Sequence, residues 1–268
     1  MHDASFRKLV LGYYRKHGRH DLPWRKSITP YRVLVSEIML QQTQVSRVIE
    51  KYKEFLRAFP TFRALASAPT GDVLKVWQGL GYNRRALALQ RCAREVVTSY
   101  RGKLPEDYET LCTLPGIGPY TAGAVLAFAF DVSVPMIETN IRRVYLHHFF
   151  PGKKKVSDAL LQPMIARHVA SVSSARQWYS ALMDYGAHLA REIPNPNTRS
   201  KHYTRQAQFG GSLRQLRGRI LRHVTDVGSV NYARITELMG DERAPHAIAA
   251  LEKEGFIRIT KHVIRLTA

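Results

Sequence analysis

The chain has 268 residues, 45% of them hydrophobic, enough for a real core and for two domains. Lys and Arg number 41 against 21 Asp and Glu, and the net charge of +20 points to a polyanionic partner, nucleic acid first. No stretch of about 18 apolar residues is present to span a bilayer, Met1 to Lys8 holds no apolar core for a signal peptide, and two cysteines, Cys92 and Cys112, are too few for a four-thiolate iron–sulfur cluster. An intracellular protein is expected, cytoplasmic and nucleoid-associated, with no membrane partner.

In chain order the pattern is mostly α. Residues 30–59 place Leu34, Ile38, Val45, Val48, Ile49, Tyr52, Phe55 and Leu56 close to helical spacing. Further helices are expected at 62–67, 72–78, 83–100, 107–113, 120–130, 139–149, 156–170 and 175–190, parted by breakers such as Pro60, Pro69, Gly79 with Gly81, Gly102, Pro135 and Pro151-Gly152. A polar, broken stretch at 194–211 reads as a linker between a domain over 1–205 and another over 210–268. The second domain carries helices at about 212–225, 231–239 and 242–254, then alternating residues from Phe256 to Leu266 that suit a hairpin. Three helices and a β-wing resemble a winged helix-turn-helix module, although the third helix has few basic residues for reading DNA.

Two carboxylates stand out. Glu37 lies inside the apolar run Val33 to Leu40, where a charge is costly unless it is used, and partial burial would raise its pKa towards neutrality. On one continuous helix Gln41 and Gln44 share its face, polar without charge. Glu138 opens the helix at 139–149, where an acid also caps free N–H groups. Two acids around one site suit glycosidic bond cleavage, one protonating the leaving group and the other stabilising the sugar cation. Between them, Leu114-Pro115-Gly116-Ile117-Gly118-Pro119 reads as a tight hairpin between helices, whose second helix offers N–H groups to a phosphate. Asp184 lies in the helix that closes the first domain and is a further acid that could hydrogen-bond whatever the site holds. His147-His148 lacks a third ligand at zinc spacing, and no metal site is expected. Lys153-Lys154-Lys155 reads as a solvated run.

Several blocks together carry a resemblance: Pro23-Trp24-Arg25, Pro30-Tyr31, Ser36-Glu37-Ile38-Met39-Leu40-Gln41-Gln42-Thr43-Gln44-Val45, Gly79-Leu80-Gly81-Tyr82 with Arg85-Ala86, and Leu114 to Gly123. Over about residues 20–190 the chain resembles the MutY-type adenine DNA glycosylases of the helix–hairpin–helix superfamily. The resemblance implies a helix–hairpin–helix DNA glycosylase fold, here with a C-terminal winged-helix module, acting as a monomer on double-stranded DNA with a mispaired base. Such an enzyme flips adenine out of the duplex and hydrolyses its N-glycosidic bond in base excision repair. Glu37 then matches the general acid that protonates adenine at N7, and Glu138 takes the place of the catalytic aspartate. Tyr120, Asn140, Gln41 and Trp24 match the base pocket. Gln42 and Tyr82 match residues that enter the base stack, and Arg25, Thr43 and Arg85 fall in DNA-contacting blocks. Gly116, Ile117, Gly118 and Tyr120 match the hairpin that grips phosphate, where relatives also hold a monovalent cation. Tyr120 stands where lyase-active relatives carry a Schiff-base lysine, which implies a monofunctional glycosylase.

Three departures accompany the resemblance. Glu138 is one methylene longer than aspartate. The family's four cysteines are absent between Tyr185 and Lys201, where Arg191, Arg199, Lys201 and Arg205 are expected to supply basic contacts with no iron–sulfur cofactor. The domain that reads 8-oxoguanine in the family is replaced by about 60 residues, so adenine opposite guanine is the expected substrate and 8-oxoguanine is left open. A G/T or G/U thymine or uracil glycosylase and a non-catalytic DNA-binding regulator are the alternative readings.

Overall fold

The structure is a computed structural model describing residues 1–204 and 208–267. In chain order, helices α1 (Asp3–His17), α2 (Pro23–Lys26) and α3 (Pro30–Leu40) lead to α4 (Val45–Ala58), α5 (Phe62–Ser67), α6 (Thr70–Trp77) and α7 (Arg84–Ser99). The helices α8 (Tyr108–Thr113), α9 (Pro119–Val125), α10 (Thr139–Phe149), α11 (Asp158–Ala170) and α12 (Ala175–Glu192) follow. The C-terminal part holds α13 (Leu213–Val227), strand β1 (Ser229–Asn231), α14 (Tyr232–Met239), α15 (Ala244–Lys253), β2 (Ile257–Thr260) and β3 (Val263–Leu266).

These elements form two compact units, each discontinuous in sequence: Met1–Ile38 with Leu104–Arg205, and Met39–Lys103 with Gln206–Ala268. The C-terminal stretch 210–268 therefore shares a unit with residues 39–103, a grouping made by long-range packing that a linker signal does not reveal.

The first unit is built around α10 and α12. Ile141, Val144, Tyr145 and Leu146 pack with Trp178, Tyr179, Leu182 and Leu189, and Phe6, Val10 and Tyr14 of α1 join the same core. Each fully buried side chain of this kind contributes about 1.5–3 kcal/mol. Helix α1 was not among the expected elements, although Phe6, Val10 and Tyr14 recur every four residues, with Asp3 in its first turn and Arg15, Lys16 and His17 in its last. Asp3 ties α1 to α11 through Arg167 at 2.7 Å and His168 at 3.2 Å.

The helix expected at 120–130 changes character midway. After α9 the residues Leu126–Phe130 form a π-helical turn, closed by Asp131 in the left-handed region at φ 62°. That carboxylate accepts from Ser174 Oγ at 2.9 Å and Arg176 N at 2.7 Å, which fastens the turn to the start of α12. The expected linker also begins later than 194. Pro196–Arg199 form a 3₁₀ turn, and Ser200 makes a parallel bridge with Val156.

In the second unit Gln90 is a buried polar tie. It accepts from Thr70 Oγ1 at 3.1 Å and donates to the carbonyls of Ala68 at 2.7 Å and Leu65 at 3.3 Å. The 30–59 pattern is two helices rather than one, broken at residues 41–44 where Gln42 has φ 53°. The C-terminal elements make the expected winged-helix arrangement, with β1 as an additional strand in an antiparallel sheet ordered β1-β3-β2. Ile220, Val224, Ile235, Ile248 and Phe256 fill its core. Among the described residues no helix is long and apolar enough to cross a membrane.

At Gly186 α12 lies close against α10: a Cβ there would lie 2.5 Å from Asn140 O and 2.7 Å from Asn140 Cβ. Overpacking of this kind costs about 1–3 kcal/mol. Gly186→Ala is expected to lower the melting temperature by several degrees, and an unchanged melt would show that the two helices yield freely.

Candidate active site

Helix α3 carries Glu37 into the first unit with only 7% of the residue exposed, between Ser36 and Ile38 that are also buried. Its Oε2 accepts a hydrogen bond from the Tyr120 hydroxyl at 3.0 Å, donated from the first turn of α9. Burial pushes the Glu37 carboxyl up to about 7, and the negative charge of Glu138 adds to the rise, while the Tyr120 hydrogen bond and the charge of Arg25 oppose it. Burial, followed by the two carboxylates, pushes the Tyr120 phenol far above its ordinary value, so it stays a neutral donor.

Glu138 is the N-cap of α10. Its Oε1 accepts from Asn140 N at 2.7 Å and Ile141 N at 2.8 Å, and Oε2 accepts from Asn140 Nδ2 at 3.3 Å. Burial raises its pKa, and the two backbone N–H groups, Arg143 and Arg142 pull the other way. Glutamate is an uncommon cap, but its extra methylene lets the carboxylate fold back on its own helix. The cap donors stabilise the carboxylate, but burial outweighs them and leaves the Glu138 pKa above its ordinary value.

Asn140 is set by its neighbours: Arg143 Nη1 donates to Asn140 Oδ1 at 2.6 Å and to Gly186 O at 2.9 Å. Arg143 is a site residue that sequence reasoning missed. Its spacing, three residues past Asn140 and five past Glu138 on one helix, was the available signal.

Asp184 does not serve as a free base-reading group. It is buried, and its two oxygens accept from Arg19 N at 2.8 Å, Arg19 Nε at 2.7 Å and Arg25 Nη1 at 2.7 Å. Burial raises its pKa, but the Arg25 hydrogen bond and charge together with Arg19 outweigh it and leave the carboxyl below its ordinary value. Arg25, expected at DNA, is correspondingly engaged inside the unit, also reaching Arg19 O and lying 5.7 Å over the Tyr14 ring. Trp24 sits beside it on α2, half-buried.

The hairpin forms as expected between α8 and α9. Gly116 has φ 80°, a left-handed conformation that glycine adopts without strain. Gly118 is the N-cap of α9, Pro119 occupies its first turn, and the space a Gly118 Cβ would take is open. Ile117 is 4% exposed, so it anchors the hairpin in the core while the glycines present backbone outward.

The second unit holds the other expected contacts. Because α3 ends at Leu40, Gln41 and Gln44 do not continue the face of Glu37. Gln42 and Tyr82 both sit in left-handed backbone, at φ 53° and 46°, a strained state for residues with side chains. Arg85 explains how these turns persist. It donates to Gln41 O at 2.5 Å, Met39 O at 2.9 Å, Thr43 Oγ1 at 3.0 Å and Gly81 O at 3.0 Å. Burial brings its pKa down to about 10. Arg85 is thus a clamp on both loops, and Thr43 is held by it, in place of the direct DNA contact expected of Arg85. On the other side, Arg214 of α13 donates to the Tyr82 hydroxyl at 2.6 Å and lies 5.2 Å over its ring.

The region between Tyr185 and Lys201 contains no cysteine. Cys92 is buried in α7 and Cys112 lies in α8, and two thiols cannot supply four thiolate ligands. The segment is fastened by polar groups instead: Arg199 donates to Leu146 O at 3.0 Å and Phe150 O at 2.9 Å, capping α10, and Asn197 Nδ2 donates to Thr139 O at 3.0 Å. Arg199 is therefore engaged internally. Arg191 and Lys201 are exposed, and Arg205 lies outside the described residues. His147 and His148 pack against each other, burial taking His148 down to about 4. Among the described residues no trio of His, Cys, Asp or Glu is grouped to hold a metal ion.

Residues 35–164 match the HhH-GPD superfamily of base excision DNA repair proteins. A protein of Mycolicibacterium smegmatis named adenine DNA glycosylase is 36% identical over 233 residues, covering 81% of this chain and 79% of that one. The human protein of the same name is 37% identical over 195 residues, 69% of this chain and 36% of the relative. A match of 47% identity in Mycobacterium tuberculosis spans 136 residues, 50% of this chain and 44% of the relative, so several relatives are matched over half their length or less. Among solved structures, a thermostable thymine-DNA glycosylase aligns with a TM-score of 0.61 at 26% identity, over 69% of this chain and 86% of that one. An endonuclease III aligns at 0.54 and 18% identity, over 70% of this chain and 86% of that one, a likeness of fold. The chain belongs to the HhH-GPD superfamily of base excision DNA repair proteins, among the relatives that carry the name adenine DNA glycosylase.

Proposed function

We propose that this chain is a monofunctional DNA N-glycosylase that removes adenine mispaired with guanine. The observation that carries the reading is the carboxyl pair: Glu37 is buried with its pKa at about 7, while Glu138 is fixed by backbone N–H groups that favour its anion. Burial raises both carboxyls, but only Glu138 has two backbone N–H groups and two arginines opposing the rise, so the two acids have different surroundings and are suited to different roles.

The chemistry follows from those states. The everted adenine takes a proton from Glu37 at N7, which converts a poor leaving group into a neutral one. Tyr120 holds Oε2 of Glu37 and remains a hydrogen-bond donor to the carboxylate that is left. The glycosidic bond breaks with oxocarbenium character, and the Glu138 anion offsets the positive charge on the sugar. Water then adds at the anomeric carbon and loses a proton, which restores the acid form of Glu37 and leaves an abasic site. Tyr120 offers no amine for a Schiff base, so strand cleavage is not part of the reaction. The hairpin at Gly116 and Gly118 supports a phosphate grip through backbone, and the +20 charge supports duplex DNA as the partner. The reaction as written calls for no cofactor. A monovalent cation at the hairpin and action as a monomer stay part of the proposal.

Thymine or uracil excision is the second reading, favoured by the likeness to the thymine-DNA glycosylase. It makes less use of Glu37, because a pyrimidine leaves as an anion that needs no proton at a ring nitrogen. The test is a panel of duplexes containing A·G, A·8-oxoguanine, G·T and G·U, scored for base loss with alkali and strand cleavage without it. Adenine release from A·G, with cleavage only after alkali, is expected. Thymine or uracil release alone would overturn the adenine reading. Glu37→Gln is expected to lower adenine release at least 100-fold with duplex affinity retained.

The acid form of Glu37 is populated below about pH 7. Single-turnover excision should therefore fall about tenfold per pH unit above 7, and fall again on the acid side as Glu138 gains a proton. A flat profile to pH 9 would contradict the assignment. The same burial makes the ionised carboxyl costly to the fold. A rise from 4.5 to about 7 corresponds to about 3 kcal/mol, absent below pH 4.5 and complete above 7. In denaturant titrations Glu37→Gln should be more stable than the parent at pH 8 and equal to it near pH 4.

A further inference from the structure

The C-terminal wing carries cations in an arrangement that the fold itself disfavours. In the β2–β3 pairing Arg258 stands directly opposite Arg265. Like charges facing each other across an antiparallel ladder are destabilising. Both are exposed, and among the described residues no carboxylate pairs with either. Most acids of the module are engaged elsewhere: Glu254 holds Arg84 and Arg217, Asp241 holds Arg243, Glu237 holds Arg234, Asp226 accepts from Gln78 Nε2, and Glu252 accepts from Ile259 N.

The hairpin tip is a separate oddity. Lys261 and His262 link the strands with φ of 47° and 63°. A two-residue turn with both angles positive is the kind that Asn-Gly fills most easily. Here two larger side chains occupy it, and His262 O is fixed by Tyr232 N at 2.8 Å. The tip thus holds a lysine outward in a strained backbone. At about 3.3 Å per residue, Lys261 stands roughly 10 Å along the strand from Arg258. Beside them lies an open hollow of about 550 Å³ whose floor includes Val263 and Leu266 and whose cations are Arg258, Lys261 and Arg265. The span suits several anionic groups in a row better than one small anion. By contrast, α15, the third helix, offers only His246 and Lys253 as basic side chains.

We propose that the outer face of the wing, Arg258 and Arg265 with Lys261 at the tip, binds the phosphate backbone of duplex DNA as a contact separate from the base-excising site. DNA as the polyanion rests on the reading of the chain as a glycosylase. The wing gives sequence-independent grip, and the phosphates relieve the repulsion between the two arginines.

The test uses the full chain and a fully paired duplex without any mispair, so its outcome does not depend on which base the enzyme removes. Each phosphate neutralised adds about 0.9 to the slope of log affinity against log salt. The double variant Arg258→Ser with Arg265→Ser should lower that slope by about 2, and Lys261→Gly by about 1. Single-turnover excision from A·G with enzyme in saturating excess should be unchanged. Melting of the free double variant at low salt should rise or stay level, because a repulsion is removed. Unchanged slopes in both variants would overturn the proposal. So would a marked fall in melting temperature, which would show that the pair props the sheet. Loss of binding to polyglutamate with the DNA slope intact would assign the face to an acidic protein instead and equally overturn it.

Discussion

A carboxyl group kept out of water is the constraint on which the rest of the first unit depends. Glu37 lies in the apolar run of α3, and burial alone accounts for most of its displacement towards neutral pH. A single such group would simply take up a proton and stay inert. Glu138 makes it useful, because the cap at the head of α10 holds a second carboxyl beside two backbone donors. Tyr120 joins the pair to the helix that follows the hairpin, so the feature suited to gripping phosphate and the feature suited to breaking the bond share α9. The stability given up at Glu37 is the kind of local cost expected at a working site.

Arginine does much of the internal bracing. In a chain of +20 the easy expectation is that each matched arginine faces DNA, and for three of them the structure shows otherwise. Arg25 closes on Asp184, Arg85 clamps the turns that hold Gln42 and Tyr82, and Arg199 caps α10. A planar guanidinium with five donors suits this task, because one side chain satisfies several carbonyls that no helix or strand can pair. The held carbonyls help to support the strained backbone of Gln42 and Tyr82.

Much of the helical order was legible from periodicity and breakers, and the three-helix-and-hairpin module was legible from its alternating tail. What escaped had physical reasons. The break at 41–44 contains no glycine or proline, and its positive φ at Gln42 is enforced from Arg85, more than 40 residues away. Helix α1 carries an every-fourth-residue stripe of only three residues, Phe6, Val10 and Tyr14, in a basic terminal segment. At the site, Glu37 and Glu138 were readable because a charge in an apolar run and an acid at a helix start are local signals. Asp184 misled for the opposite reason: its partners Arg19 and Arg25 are about 160 residues distant, and only folding shows that its oxygens are taken. Arg214 against Tyr82 is likewise a contact across 132 residues.

The most direct measurement is an NMR titration of the Glu37 side-chain carboxyl in isotopically labelled protein, repeated in Glu138→Gln. The account predicts a midpoint near 7 in the parent and a lower midpoint in the variant, because a neighbouring negative charge is removed. A midpoint near the ordinary 4.5, or one indifferent to Glu138, would contradict the coupled acid pair.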